Sequence, residues 1–397
     1  MPRGASERGI SVGIHDLEVA TSHFVVSLSE LAEHNGTDPA KYLIGLGQRE
    51  MSFPAPDEDA VTIGAEAAAE LLARTGVEGI TTLLFATESG IDQSKAAGLW
   101  VHRLLGLPAS MRVAEVKQAC YGGTAALQAA AGMVARAPQE RVLVIASDVA
   151  RYALDSPGEP TQGAGAVAML VSAAPALVEL DPVSGRFTAE VDDFWRPNGM
   201  LEALVDGELS VAAYLDGVES SWLDLAARGG PSVERLAAIL FHQPFGKMAQ
   251  KGLRRLSSVV GRDLDGAGNT AGEAINSRMG NSYAASVYAA LAGLLEYGLG
   301  EEPLSTGDRI GWFSYGSGSV SEFLTGTVGP AATTRSGSGG IAAKLDARAA
   351  LGVPEYRALH TARGETPEVT DRLLPRTTRG RFRLAEVRGG ARRYEGV

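Results

Sequence analysis

Residues 115–130 read EVKQACYGGTAALQAA and contain Cys120, which is the only cysteine in the 397-residue chain. A short apolar and charged run changes here to a Gly-Gly pair and then to alanine-rich sequence, which indicates a strand followed by a helix. Two interpretations of the thiol are open at this point. A free cysteine is commonly a small buried hydrophobe. A thiol at a helix N-terminus, in contrast, gains from the partial positive charge there, which favours the reactive thiolate.

The segments on either side of this stretch have the pattern of buried parallel strands. Residues 81–90 (TTLLFATESG) and 141–148 (RVLVIASD) are apolar runs that end in polar residues or glycine. Residues 123–135 between them have the composition of a helix buried among other elements. Strand, helix and strand in this order predict a right-handed βαβ unit. Further predicted elements are a first strand starting at 10–14, a helix at 57–75 and a strand at 164–171.

The second half of the chain repeats this organisation. Residues 236–241 (LAAILF) end in HQPFGK, and residues 309–314 (RIGWFS) run into YGSGS, with a helical region that includes 283–297 between them. Each half supplies core strands that end in polar or Gly-rich loops. This predicts an α/β protein of two similar halves, 1–175 and 176–397, that meet at a shared site.

Composition narrows the class of protein further. With 45% hydrophobic and 21% charged residues, the chain is ordinary for a globular protein, and its net charge of −11 argues against a broad nucleic-acid-binding face. One cysteine excludes an internal disulfide and any multi-cysteine metal site. The N-terminal sequence has no apolar signal core, and no stretch is continuously apolar over the roughly 18 residues of a membrane span. We therefore expect a cytoplasmic protein with neither a nucleic-acid nor a membrane partner.

Two segments are predicted to lie at the surface of the protein. Residues 331–340 (AATTRSGSGG) have low complexity and predict a surface loop or short linker. The arginine-rich residues 376–397 are expected to form a terminal strand followed by a solvated tail.

A thiol nucleophile needs chemical partners, and two residues are candidates. Glu88 lies just beyond an apolar strand, and His242 follows the apolar end of another, unlike the other five histidines. Loop carboxylates are usually solvated, and a histidine in such a setting is commonly a satisfied core residue. Neither residue alone identifies a site.

Three further residues have ordinary interpretations as well. Asn281 precedes a helical run, where Asn is a common N-cap. Lys247 and Lys251 are four residues apart and so share a helix face, where a solvated basic face is the simplest reading.

These motifs, taken together and in order, resemble those of the 3-hydroxy-3-methylglutaryl-CoA synthases, members of the thiolase-like superfamily. The resemblance covers nearly the whole chain and is carried by GIHDLEVAT, KYLIGLGQREM, FATESGIDQSKA, EVKQACYGGTAALQ, VLVIASDVARY, PTQGAGAVAML, DFWRPNG, LVDGELSVAAYL, FHQPFGKMAQK, RMGNSYAASVY and FSYGSGSV. It implies a thiolase-like fold, with two similar α/β halves in a layered α-β-α-β-α arrangement.

The resemblance also implies roles for the three candidate residues. In that family the cysteine of QACYG is acylated by acetyl-CoA, the glutamate of ATES is the general acid/base, and the histidine of HQPF orients the second substrate. These motifs match Cys120, Glu88 and His242. The implied reaction of the mevalonate pathway joins acetyl-CoA, acetoacetyl-CoA and water into 3-hydroxy-3-methylglutaryl-CoA and CoA. No metal or other cofactor is implied, and a homodimer is usual.

The same resemblance supplies expected substrate contacts. Lys247 and Lys251 would meet CoA phosphates, and DFWRP would shape the pocket or order the loop beside it. The remaining substrate contacts implied by matching motifs are Asn281, Ser317, Tyr152, Thr161 and Ser210.

Two departures from the expected motifs keep an alternative open. The chain has CYGG and ESG where CYGA and ESS are more usual in primary metabolism. Related polyketide β-branching synthases carry the CYGG and ESG forms and perform the same addition, with an acetyl-carrier protein as donor and a β-ketoacyl-carrier protein as acceptor. DFWRP and the retained Lys247 favour free CoA thioesters, while the intact trio of Cys120, Glu88 and His242 argues against a non-catalytic relative.

Overall fold

The structure is a computed structural model, and it describes residues 10–268, 270–299, 303–332, 340–365 and 369–396. The strands are β1 (Val12–Thr21), β2 (Phe24–Ser27), β3 (Glu50–Phe53), β4 (Ile80–Ala86), β5 (Arg112–Val116), β6 (Arg141–Ala150), β7 (Gly163–Ala173), β8 (Val178–Leu180), β9 (Gly185–Thr188), β10 (Phe194–Trp195), β11 (Leu204–Val205), β12 (Ala238–Phe241), β13 (Arg309–Gly316), β14 (Val320–Val328), β15 (Ala349–Ala350), β16 (Arg372–Leu373), β17 (Phe382–Arg388) and β18 (Ala391–Gly396).

Helices lie between these strands and include short 3-10 turns at Glu159–Thr161 and Tyr283–Ala285. The α-helices are α1 (Leu28–His34), α2 (Ala60–Thr75), α3 (Gly98–Leu104), α4 (Gly122–Arg136), α5 (Gly207–Ala227), α6 (Gly246–Val260), α7 (Thr270–Met279), α8 (Ser286–Tyr297), α9 (Gly340–Asp346) and α10 (Val353–Glu365). Among the described residues, no helix is both long and apolar enough to cross a membrane.

The predicted βαβ unit is confirmed. β4 pairs in parallel with β6, and α4 lies in the connection between them. The run before Cys120 is β5, which pairs in parallel with the other edge of β4. The predicted helix at 57–75 begins later, because the side chain of Asp59 accepts hydrogen bonds from the N–H groups of Val61 and Thr62 and caps α2.

One long sheet carries both halves of the chain. Its path is β12-β13-β14-β8-β1-β7-β6-β4-β5, with β9 paired beside β14. The end made of β5, β4 and β6 and the end made of β12 and β13 are parallel, while the strands between them are antiparallel. At each end of the sheet, parallel strands therefore run into connecting loops at their carboxyl ends. Ligands of α/β proteins commonly bind at such strand ends.

Helices cover the sheet in layers. α4 and α8 share one core with strands from both ends of the sheet, represented by Leu127, Leu291 and Trp312. α2 and α3 pack on the outer side of β4, β6 and β7, and α5 and α6 pack on the outer side of β12 and β13. This gives the expected α-β-α-β-α arrangement, because both faces of each sheet end are apolar and must be covered.

The C-terminal segment differs from its prediction. Instead of a strand and a solvated tail, β17 and β18 form an antiparallel hairpin. Its buried Tyr394 packs edge-on against Trp100 of α3, and its hydroxyl bonds Asp59. Alternating apolar residues on the hairpin continue the core over α2, which explains why an arginine-rich sequence is nevertheless ordered here. Of the predicted linker at 331–340, residues 333–339 lie outside the described residues.

Candidate active site

Four candidate residues lie just past the carboxyl ends of parallel strands. Glu88 follows β4, Cys120 follows β5, His242 follows β12 directly and Ser317 follows β13 directly. Two come from one end of the sheet and two from the other. All four positions therefore follow strands that belong to parallel pairs, as the apolar runs ending in polar or glycine residues predict.

The turn that holds Cys120 lies against the loop after β13. A Cβ on Gly316 would lie 2.6 Å from the carbonyl oxygen of Gln118 and from the backbone nitrogen of Tyr121, so only glycine fits there. The side-chain amide of Gln118 donates to the carbonyl of Ser317 at 3.2 Å. The YGSGS loop is thus in direct contact with the main chain on both sides of the cysteine.

Cys120 and Glu88 form a hydrogen-bonded pair. The Sγ–H donates to Oε1 of Glu88 at 3.1 Å, and the cysteine is only 7% exposed. Burial, together with the nearby Asp148 carboxylate, raises the pKa of Glu88 to about 8. Burial and the adjacent carboxylate also raise the pKa of the Cys120 thiol. The expectation of a thiolate stabilised by the helix N-terminus is therefore wrong, since these two effects favour the protonated thiol.

Asp148 organises the loop that carries Glu88, a function that sequence reasoning missed. Its Oδ1 accepts hydrogen bonds from Thr87 Oγ1 and from the N–H groups of Glu88 and Ser89. Its Oδ2 accepts from the N–H of Ala284. Burial raises the pKa of Asp148 to about 6. The available signal was an acid that ends the apolar run RVLVIASD, a position where a carboxylate needs buried partners.

An aromatic wall surrounds the thiol. Tyr152 and Tyr283 form a buried cluster with Cys120, and Phe194 packs against it. The ring centroids of Tyr152 and Phe194 are 6.1 Å apart and the rings meet edge to face. Asn281 Nδ2 lies 3.4 Å from the Tyr152 hydroxyl. The structure thus brings Tyr152 and Asn281 to the cysteine.

Asn281 bonds the main chain of the following turn, although the N-cap position that the sequence predicts for it belongs to Ser282. Its Oδ1 accepts a hydrogen bond from the N–H of Tyr283, which starts the 3-10 turn before α8. Its own N–H donates to the carbonyl of Thr161 at 3.2 Å. The Thr161 hydroxyl, however, donates to the carbonyl of Gly158, so it is engaged within its own turn.

His242 is held by its main chain, which leaves the ring available to a ligand. Its N–H donates to the carbonyl of Phe313, and its carbonyl accepts from the hydroxyl of Tyr214 at 2.8 Å. The residue is 1% exposed, and its Nε2 has no hydrogen-bond partner among the described residues. Burial lowers the pKa of His242 to about 3, which keeps the imidazole neutral.

The DFWRP motif orders the loops around the thiol, as the resemblance implies. Asp193 accepts hydrogen bonds from the hydroxyl of Tyr315 at 2.7 Å and from the N–H of Gly318 at 2.9 Å. Arg196 donates to the main-chain carbonyl of Glu88. The short hairpin of β10 and β11 is thereby attached to both the Glu88 loop and the YGSGS loop.

The other expected contacts lie farther from this centre. Lys247 and Lys251 are half-buried in the first turns of α6, where the ammonium of Lys247 donates to Gln250 and that of Lys251 lies over the ring of Phe245. Ser210 lies in the first turn of α5, and no described side-chain contact joins it to Cys120 or His242.

A buried thiol paired with a glutamate, at strand ends shared by two halves of a five-layered α/β body, defines an acyl-condensing enzyme of the thiolase-like fold. Family models sharpen this class. Residues 8–175 match the hydroxymethylglutaryl-coenzyme A synthase N-terminal model, and residues 268–365 match the corresponding C-terminal model. The chain belongs to the hydroxymethylglutaryl-CoA synthase family.

Individual relatives agree with this assignment. The hydroxymethylglutaryl-CoA synthase of Enterococcus faecalis is 38% identical over 353 residues, which cover 88% of this chain and 91% of that protein. The solved structure of MvaS in complex with 3-hydroxy-3-methylglutaryl coenzyme A superposes with a TM-score of 0.89 at 38% identity, covering 98% of this chain and all of that one. The curacin biosynthetic pathway HMG synthase in complex with holo donor-ACP gives a TM-score of 0.90 at 31% identity with the same coverage.

Proposed function

We propose that this enzyme joins the acetyl group of acetyl-CoA to acetoacetyl-CoA and releases 3-hydroxy-3-methylglutaryl-CoA. The observation that carries the proposal is the hydrogen bond from Cys120 to Glu88, together with a glutamate pKa raised to about 8. A carboxyl group with a pKa near the working pH can both accept and return a proton, which this reaction requires of one residue.

The first step is acetyl transfer to Cys120. The Sγ adds to the thioester carbonyl while its proton passes to the Glu88 carboxylate. The bond between the carbonyl carbon and the CoA sulfur then breaks, and CoA leaves as a thiol with the proton from Glu88. One thioester replaces another, so the step needs little driving force.

The second step makes the carbon nucleophile. Glu88, again a carboxylate, removes a proton from the methyl group of acetyl-Cys120. Negative charge then develops on the acetyl oxygen and needs hydrogen-bond donors. We assign these to main-chain N–H groups of Cys120 and of the YGSGS loop, because Gly316 and Ser317 lie against the cysteine turn.

The third step forms the carbon–carbon bond. The enolate carbon attacks the C3 ketone of acetoacetyl-CoA, and the resulting alkoxide takes the proton back from Glu88. His242 is the donor proposed for the acceptor's carbonyl groups, because its imidazole is neutral and its Nε2 is buried without a described partner. Tyr152 and Asn281 would contact the acyl chain beside Cys120. Water finally hydrolyses the enzyme thioester and restores the thiol.

Free CoA thioesters are the proposed substrates. Lys247 and Lys251 give an acidic protein a local cationic face that suits CoA phosphates. Gly123 is the second glycine of the CYGG motif, the form found in the carrier-protein enzymes. Packing explains it in this chain, because a Cβ there would lie 2.5 Å from the carbonyl oxygen of Ala284. Its presence therefore says little about the carrier of the acyl group.

Cellular context and assembly are proposed with it. We place the enzyme in the mevalonate pathway of a reducing cytoplasm, which keeps the nucleophilic thiol reduced. We also propose a homodimer, since β5 pairs with β4 only and its other edge is open among the described residues. The two halves would divide near residue 175, with Glu88 and Cys120 in the first and His242 and Asn281 in the second.

The test is to incubate the enzyme with acetyl-CoA and measure its intact mass. An acetyl adduct on the wild type, its absence on Cys120→Ser, and release of 3-hydroxy-3-methylglutaryl-CoA after addition of acetoacetyl-CoA support the proposal. No adduct from acetyl-CoA, but one from acetyl-carrier protein, would instead favour the β-branching reaction of a polyketide assembly line. No adduct from either donor would refute the acyl-enzyme mechanism.

A further inference from the structure

We infer that His360 is a positioning residue for this reaction, because it fixes the main chain of Tyr152, whose side chain packs on Cys120. The inference rests on the proposed function, since the acyl pocket matters only if Cys120 carries the acyl group. His360 lies on α10, more than two hundred residues along the chain from Tyr152 and Cys120. None of the substrate contacts expected from the sequence lies on α10.

Tyr152 needs such support because it lies outside the sheet. β6 ends at Ala150, so strand pairing does not hold the peptide groups of Tyr152. Its N–H instead donates to Oε1 of Gln162 at 3.0 Å, and its carbonyl oxygen is 2.9 Å from Nε2 of His360. Gln162 and His360 are each 2% exposed, so both bonds are sheltered from competing water.

The partners of His360 define a single protonation state. Nε2 faces two acceptors, the carbonyl of Tyr152 and Oε1 of Gln162 at 3.2 Å, so Nε2 carries the proton. Nδ1 is 3.4 Å from a donor, the guanidinium of Arg151, and therefore accepts. Burial, together with the nearby Arg151, lowers the pKa of His360 to about 4, so the ring is neutral at physiological pH.

A second set of hydrogen bonds fixes the side-chain amide of Gln162 so that its Oε1 faces Tyr152 and His360. Its Nε2 donates to the hydroxyl of Tyr356 at 2.7 Å, and that hydroxyl donates to Oε1 of Glu159 at 3.0 Å. Tyr356 and His360 are one turn apart on α10 and face the same loop. The helix therefore clamps the loop between β6 and β7 at Tyr152, Glu159 and Gln162.

This clamp determines where the Tyr152 side chain lies. Its ring packs against Tyr283 and Phe194 around Cys120, and its hydroxyl is 3.4 Å from Asn281. If the carbonyl of Tyr152 loses its donor, the main chain is free to rotate and the ring moves with it. A displacement of about 1 Å near reacting groups is enough to reduce a rate strongly.

His360 acts through Tyr152 rather than on the substrate. Its hydrogen bonds in the described part of the chain go to Arg151, Tyr152 and Gln162. None goes to Cys120 or Glu88, and the inference therefore concerns geometry and not proton transfer.

The test compares His360→Phe, which keeps a ring but removes the donor, with His360→Gln, whose amide can place an N–H near the position of Nε2. His102→Leu is the matched control. His102 lies on the distant helix α3, and its Nε2 is also 2.9 Å from a carbonyl oxygen, that of Pro108. The first readout is the rate at which iodoacetamide alkylates Cys120, which needs no substrate. The second is the rate of condensation after acetylation.

We expect His360→Phe to raise the alkylation rate several-fold and to lower the condensation rate by about 10-fold. His360→Gln should bring both rates back to within about 2-fold of the wild type, and His102→Leu should leave both unchanged. If His360→Phe does not fold, His360→Met against His360→Gln makes the same comparison. Equal rates in His360→Gln and in the variant without a donor would overturn the inference.

A double-mutant cycle separates positioning from general destabilisation. In a Tyr152→Ala background, His360→Phe should have little further effect on either rate, because the side chain it positions has been removed. Additive effects in the cycle would mean that His360 acts by stabilising the fold alone, and would overturn the inference. A wild type that is inactive with acetyl-CoA, while the alkylation pattern holds, would refute the proposed function and leave the positioning of Tyr152 supported.

Discussion

The two ends of the sheet build their parts of the site differently. At the end of β4 and β5, Cys120 bonds Glu88, and Asp148 holds the Glu88 loop, so titratable groups contact one another. At the end of β12, His242 is fixed by main-chain bonds only, and its Nε2 has no described partner. The first end can exchange protons within itself, whereas the second can only offer a hydrogen bond to a ligand.

The same physical cause shifts the pKa values at these two ends in opposite directions. Burial disfavours whichever form is charged, so it raises the pKa of Glu88 to about 8 and lowers that of His242 to about 3. Near neutral pH the glutamate is close to its titration point, while the histidine is far from its own. One environment thus yields a proton carrier and a fixed neutral donor.

The largest expected effect breaks the first end. Glu88→Gln keeps the shape of the side chain but cannot accept a proton, so condensation should fall by about 10³-fold. Acetylation of Cys120 should be slowed as well, because Glu88 accepts the thiol proton in that step, but by less than condensation, since a thiol gives up its proton far more readily than an acetyl methyl group. The measurement is a single-turnover assay of each step, together with exchange of the acetyl methyl protons in deuterated water. Methyl exchange at the wild-type rate would show that another base is used.

A smaller effect is expected at the other end. His242→Ala should lower condensation by about 10²-fold, since a preorganised donor to the acceptor carbonyl is lost. The acetyl adduct and methyl-proton exchange should remain as in the wild type, because Cys120 and Glu88 are intact. Loss of methyl exchange in this variant would contradict the division of tasks between the two ends.

The smallest expected effect is on the pH dependence of the free energy of unfolding. The folded state raises the pKa of Glu88 from 4.5 to about 8 and that of Asp148 from 3.8 to about 6, so it binds more protons than the unfolded chain between these values. Stability should therefore fall as pH rises through this window. Urea unfolding at pH 5, 7 and 8.5 measures it.

Glu88→Gln supplies the control for that measurement. Removing the titrating carboxyl should flatten the fall in unfolding free energy above pH 6. His242→Ala should leave the pH dependence in this window unchanged, because the pKa of His242 is already far below it. Identical slopes in the wild type and Glu88→Gln would show that this carboxyl is not perturbed by folding.

Much of this organisation could be predicted from local sequence. Apolar runs that end in polar or glycine residues located β4, β6, β12 and β13, and hence the strand ends where Glu88 and His242 lie. The apolar and charged run before Cys120 located β5. Asn281 was predicted as a helix N-cap; it bonds the N–H of Tyr283, but the N-cap position of that turn is Ser282. These features depend on neighbours close in sequence or on the periodicity of one element.

The remainder depends on partners that are distant in sequence. His360 lies in a polar helix, and only the fold brings it to Tyr152. Tyr394 belongs to an arginine-rich end, yet it is buried because α2 and α3 offer an apolar face. The direction of the Cys120 pKa was missed for the same reason, since the fold sets both the burial of the thiol and its contact with Glu88.

Gly316 shows what the contact between the two halves demands. Its missing side chain lets the loop after β13 lie directly on the turn of Cys120. Any larger residue would push the loop and the turn apart, because the atoms in contact belong to the main chain and cannot move aside as a flexible side chain would. The alignment of Cys120 with the proposed oxyanion donors is therefore a property of this main-chain contact itself, with a tolerance smaller than one methyl group.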